Sequence, residues 1–114
     1  MYKEYMELTS SQAKYLRGLA HNLEPVIMVG QKGFTETLVK SVDANLTAHE
    51  LIKVKFLDFK EKEQKLEITS QITKATGSAL VGLIGHVAIL YRPHPETAKQ
   101  KIKLPLKNNP AYCR

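Results

Sequence analysis

The chain has 114 residues, 43% hydrophobic and 25% charged, with a formal net charge of +6. This length suits one domain with a modest core, and the ordinary balance of apolar and charged residues excludes disorder throughout. No apolar run approaches the roughly 18 residues that cross a bilayer, Met1–Glu7 holds no signal-peptide core, and Cys113 is the only cysteine, so a cytoplasmic chain without disulfides is expected.

Residues 1–7 are polar and expected to be flexible. Leu8 then precedes Thr9-Ser-Ser-Gln12, a Thr-x-x-Gln capping box with a hydrophobic residue before it. Ala13, Leu16, Leu19 and Ala20 follow at helical spacing, with Lys14 and Arg17 on another side. The predicted first helix runs from about Ser10 to His21. Asn22 is placed to close it in a left-handed conformation, and Glu24-Pro25 cannot continue it. Val26–Val29 is a continuous apolar run of strand length, the pattern of a strand buried on both faces.

Gly30-Gln31-Lys32-Gly33 comes next, followed by a second helix predicted from about Thr35 to Ala48. Leu38, Val39, Val42 and Leu46 form its apolar stripe. In Leu51–Leu57 the period changes, because Ile52, Val54 and Phe56 alternate with Lys53 and Lys55. That pattern predicts a strand with one buried face and one wet, basic face. Asp58–Gln64 is highly charged and leads into a third helix, in which Ile68, Ile72 and Ala75 share a face and Gly77 is a natural C-cap. Its threonines and isoleucines suit a strand as readily. Ala79–Ile84 and Val87–Tyr91 read as two strands joined by a tight hairpin at Gly85-His86. Arg92-Pro93-His94-Pro95 ends the sheet.

The order α-β-α-β-α-β-β predicts an α/β protein with a four-stranded mixed sheet packed with helices. The body spans residues 8–93, and residues 94–114 form a basic tail. Arg92–Arg114 carries +5 and Met1–Tyr91 only +1, so a basic face on the body must come from arrangement. Such a tail either holds nucleic acid by nonspecific phosphate contacts or keeps the chain soluble. Lys101-Ile-Lys-Leu-Pro105 alternates apolar residues with lysine and is suited to return to the sheet edge.

The stretch from Pro25 to Lys55 organises the chain. A strand delivers a glycine-bounded loop to a helix N-terminus, where free N–H groups and a partial positive charge suit an anion such as phosphate. Lys32 adds a full charge between the glycines. Most isolated Gly-x-x-Gly pairs are simply turns, and the spacing of a nucleotide-binding P-loop is absent. Lys53 and Lys55 can follow a phosphate backbone, or lie on a solvated strand face. Lys14 and Arg17 widen the basic surface if the first helix sits beside the loop. Tyr91-Arg92 can stack a base and hold a phosphate, or close the sheet margin structurally. His21 and His49 end helices, where they interact with the last carbonyls. The histidines and the cysteine lack zinc-site spacing, and no catalytic grouping emerges. No cofactor, no metal and no enzymatic activity are expected.

Gly18-Leu-Ala-His21, Pro25-Val26, Val29-Gly30, Gly33, His49-Glu-Leu-Ile-Lys-Val-Lys55, Gly77, Gly85 and Leu90-Tyr-Arg-Pro93 occur in one order. That set resembles the CRM domain family (chloroplast RNA splicing and ribosome maturation), in its bacterial stand-alone YhbY-like form. The resemblance covers about Leu8 to Pro93. It implies a fold similar to the C-terminal domain of bacterial translation initiation factor three. It further implies a noncatalytic RNA-binding protein associated with precursors of the large ribosomal subunit, and plant relatives of the domain serve group II intron splicing. The family's Gly-x-x-Gly loop falls on Gly30, Gln31, Lys32 and Gly33, in a role similar to the backbone clamp of KH domains. Here a strand rather than a helix leads into the loop. Lys53, Lys55, Lys14, Arg17 and Arg92 complete the expected RNA-binding set. The alternative is a protein-binding adaptor whose basic tail alone contacts RNA. Ribosomal RNA is the expected partner, and a monomer the expected state.

Overall fold

The computed structural model describes residues 8–102. Its elements are α1 (Ser10–Ala20), β1 (Ile27–Val29), α2 (Glu36–His49), β2 (Leu51–Phe56), α3 (Lys62–Thr76), β3 (Ala79–Ile84) and β4 (Val87–Tyr91), with a 3-10 turn at Thr97–Lys99. The strands lie in the order β1-β2-β4-β3. β1 runs parallel to β2, as a crossover through α2 requires, and β4 is antiparallel to both β2 and β3. The mixed α/β sheet is therefore the predicted one.

Local chemistry explains most element ends. At α1, the Gln12 amide donates to Thr9 Oγ1 and the Thr9 amide to Gln12 Oε1, both at 3.1 Å. This is the capping box. Gly77 closes α3 at φ +70, which costs glycine nothing. The hairpin turns at Gly85 with φ +60. Asn22 does not close α1. His21 keeps right-handed geometry there, and the Leu23 amide donates to the Ala20 carbonyl at 2.9 Å, so the chain leaves through an ordinary turn.

Two cores flank the sheet. On one face, Leu38, Val42 and Leu46 of α2 and Ile68 and Ile72 of α3 pack against Ile27, Val29, Ile52, Val54, Phe56 and Leu90. On the other, Leu16 and Ala20 of α1 pack against Leu51, Val81, Ile89 and Tyr91. Two sequence expectations change as a result. β2 does not have one wholly wet face, because α1 covers Leu51 and leaves Lys55 exposed. β1 is not buried on both faces. It is an edge strand beyond the cover of α1, and Met28 is 51% exposed. A central strand and an edge strand with one bare face can carry the same short apolar run, and strand order decides between them.

The junction between α2 and β2 is a single residue, Glu50, with φ +68 and only 2% exposure. Its carboxylate accepts from the backbone amides of His94 (3.2 Å), Lys101 (3.1 Å) and Ile102 (3.0 Å). Its carbonyl accepts from the Arg92 amide at 2.8 Å. The chain from 92 to 102 thus folds back over the start of β2, in the middle of the sheet rather than at its edge. Ile102 packs against the α1-side core. Residues 103–105 of the expected return segment lie outside the described residues, as do residues 1–7.

Burial, and then the adjacent Glu50 carboxylate, push the Tyr91 hydroxyl from 10.0 up to about 12. An unfolded chain ionises this phenol first, so its contribution to stability is intact below pH 10 and lost as pH rises towards 12. Tyr91→Phe should therefore flatten the alkaline fall in the urea midpoint between those two pH values.

Candidate nucleic-acid interface

The Gly33 amide donates to the Gly30 carbonyl at 3.0 Å, folding Gly30–Gly33 into a tight turn. The two glycines have different reasons for being glycine. Gly33 is buried at φ +64, and a Cβ there would stand 3.2 Å from the Phe59 ring and 3.5 Å from Ile68. Gly30 has no such constraint, since a Cβ there would meet nothing within 4 Å. The fold demands the second glycine and leaves the first bare. Gly33→Ala should therefore cost about 1–3 kcal/mol of stability, and Gly30→Ala less than about 0.5 kcal/mol, as compared by chemical denaturation.

Phe59 itself sits at φ +65, and its amide donates to Asp58 Oδ1 at 2.8 Å. Positive φ at a bulky residue is strained. Here it lays the ring beneath Gly33 and ties the loop after β2 to the loop after β1. Gln31 and Lys32 project from this platform, exposed. α2 begins at Glu36, one residue later than predicted, with Thr35 as N-cap accepting from the Leu38 amide at 3.0 Å. Glu36 already complements the positive end of the helix dipole. The loop amides and Lys32 are therefore better placed to meet an anion than the helix end. A groove of about 600 Å³ runs from the loop along β1 to Thr37 and Ser41 of α2.

The other expected contacts divide by position. Lys55 is exposed and pairs in register with Met28, one residue from the loop. Lys53 lies two residues further back and is half-buried, its ammonium donating to the His21 carbonyl at 3.4 Å. Lys14 and Arg17 are exposed but do not flank the loop. The Arg17 stem lies over Gly82 of β3, where a Cβ would come within 3.3 Å of its Cδ. β3 is the opposite edge of the sheet from β1. Arg92 is also elsewhere. It follows the Tyr91–Leu51 pair, roughly 17 Å along β2 from the loop end. Its guanidinium pairs with the Asp43 carboxylate and donates to Thr47 Oγ1 and the Thr76 carbonyl, both at 2.8 Å. Those bonds pin β4 to α2 and α3. Tyr91 beside it is 1% exposed and stacks no base.

The fold thus gathers Gly30, Gln31, Lys32, Gly33 and Lys55 at one end of the sheet. It adds two segments that were not among the expected RNA contacts: Leu57–Glu61 after β2, and the Gly85-His86 turn. Lys60 resembled part of an ordinary charge run, and only the strand register brings it beside His86.

A model of the CRS1 / YhbY (CRM) domain matches residues 8–92. The chain belongs to the CRM family. Similar proteins include one from Haemophilus influenzae named RNA-binding protein, 43% identical over 88% of this chain and 97% of its own length. Another is the Probable RNA-binding protein YqeI of Bacillus subtilis, 37% identical over 86% of this chain and 99% of its own. The solution structure of a hypothetical protein from Staphylococcus aureus superposes with a TM-score of 0.75 at 38% identity, covering 87% of this chain and all of that one. That neighbour supports the same α/β arrangement.

Proposed function

We propose that this CRM protein is a noncatalytic RNA-binding protein that acts on precursors of the large ribosomal subunit, holding RNA backbone at Gly30–Gly33. One observation carries the loop assignment. Gly30 leaves open backbone next to exposed Lys32, on a turn whose other glycine is locked by packing. A bare backbone lets amides approach phosphate oxygens closely, and Lys32 and Lys55 add charge at the same end of the sheet. The names of the relatives support RNA as the ligand, and the YhbY-like resemblance supports the ribosomal precursor.

A second reading draws on one feature. Leu19, Leu23 and Val26 are exposed around an apolar hollow of about 450 Å³ that also involves Ile102. This corner would suit a protein partner, leaving RNA to the tail. Truncation separates the two readings, provided the cut spares the amides that hold Glu50. A chain ending at Ile102 should keep most of its affinity for a single-stranded RNA oligonucleotide at physiological salt. Abolished binding by the truncated chain would favour the adaptor. The log–log salt slope should also fall only in part, by about 0.7 for each phosphate that the tail itself neutralises.

A further inference from the structure

We propose that the same end of the sheet carries a second RNA subsite, a ribose-phosphate pocket made by Lys60, His86 and Asp58; this rests on the RNA-binding reading above. A hollow of about 450 Å³ opens there, lined by Phe56, Leu57, Asp58, Lys60 and His86. His86 is held in place from behind. Lys65 of α3 is only 5% exposed, and its ammonium donates to the Gly85 carbonyl at 2.9 Å and reaches His86 Nδ1 at 3.2 Å. An ammonium has no lone pair, so Nδ1 is the acceptor and the ring proton sits on Nε2. A buried lysine thus fixes one tautomer of an exposed histidine, leaving its single N–H donor on the ring edge away from Lys65.

Asp58 is oriented as well, because its Oδ1 accepts from the Phe59 amide at 2.8 Å. Its second oxygen is an acceptor on a wall that otherwise offers donors. One cation, one fixed N–H and one carboxylate oxygen complement a phosphodiester with a neighbouring hydroxyl. The phosphate oxygens accept from Lys60 and His86 Nε2, and the ribose 2′-hydroxyl donates to Asp58. A carboxylate would only repel a bare phosphate chain, so its presence beside Lys60 selects RNA over DNA. Leu57, 64% exposed, supplies apolar surface alongside.

The subsite is placed to act with the glycine loop. Met28 pairs with Lys55, and Lys55 with Val87. Gly30 and His86 therefore flank the end of β2 at about two strand spacings, roughly 10 Å. Phe59 joins the two sites mechanically, since it follows Asp58 and underlies Gly33.

The test uses the full chain with a fluorescent oligouridylate and its 2′-deoxy counterpart, titrated at several salt concentrations. Lys60→Gln and His86→Gln should each weaken RNA binding about fivefold, and Lys60→Gln should lower the salt slope by about 0.7. Asp58→Asn retains an acceptor for the Phe59 amide, and should narrow the preference for RNA over DNA. In the unbound protein, nitrogen NMR should find the His86 proton on Nε2. Wild-type affinity and preference in all three variants, with binding still lost on Gln31→Asp and Lys32→Asp, would overturn the subsite alone. Unchanged binding in those loop variants too would overturn the RNA reading beneath it.

Discussion

Replacing Glu50 with alanine is expected to destabilise the domain by about 3 kcal/mol or more, lowering Tm by over 12 °C at this size. Glu50 is 2% exposed, and its carboxylate accepts from the amides of His94, Lys101 and Ile102. Hydrogen bonds to a charged group each contribute about 1.5–3 kcal/mol, and removing the shared acceptor strands three donors at once. Residues 92–102 would lose their anchor, so trypsin should cut after Lys99 and Lys101 far faster in the variant. Glu50→Gly separates the carboxylate from the backbone, because glycine adopts the φ of +68 found here without strain. A glycine variant as stable as the wild type would show that the carboxylate holds nothing.

The second large effect concerns binding. Changing Gln31 and Lys32 together to aspartate should weaken affinity for single-stranded RNA by about 30- to 100-fold, or 2–3 kcal/mol. One positive charge is lost and two negative charges are placed where phosphate is proposed to lie, at distances where ionic interactions are still felt. Both side chains are exposed, so the urea midpoint should stay within about 0.5 kcal/mol of wild type. Equilibrium binding and denaturation of the same preparations give both quantities. A loss of binding accompanied by unfolding would remove the loop from consideration as the cause.

Much of this architecture is legible in the sequence where its causes are local. The Thr9–Gln12 box, the Gly77 cap and the Gly85-His86 turn are each decided within a few residues, and each stands where the sequence places it. The glycine loop is legible for the same reason. Features set by strand order are not. Val26–Val29 carries no mark of being an edge strand, because the bare face of Met28 follows from where α1 ends. Arg17 lies on a correctly placed helix, yet its stem runs over β3, where Gly82 makes room for it. Glu50 is the clearest case. A lone carboxylate between a helix and a strand looks solvated, and its partners lie more than forty residues away in a stretch that reads as a tail. Arg92 likewise resembles a free cation until Asp43 and Thr47 are brought to it.

The most direct measurement is crosslinking in cells with sequencing of the attached RNA, on the wild-type chain and on the Gln31→Asp, Lys32→Asp variant. Binding of ribosomal precursors through the loop predicts reads concentrated in large-subunit ribosomal RNA, falling sharply in the variant. Scattered reads that the variant leaves unchanged would contradict both the loop and the ribosomal role.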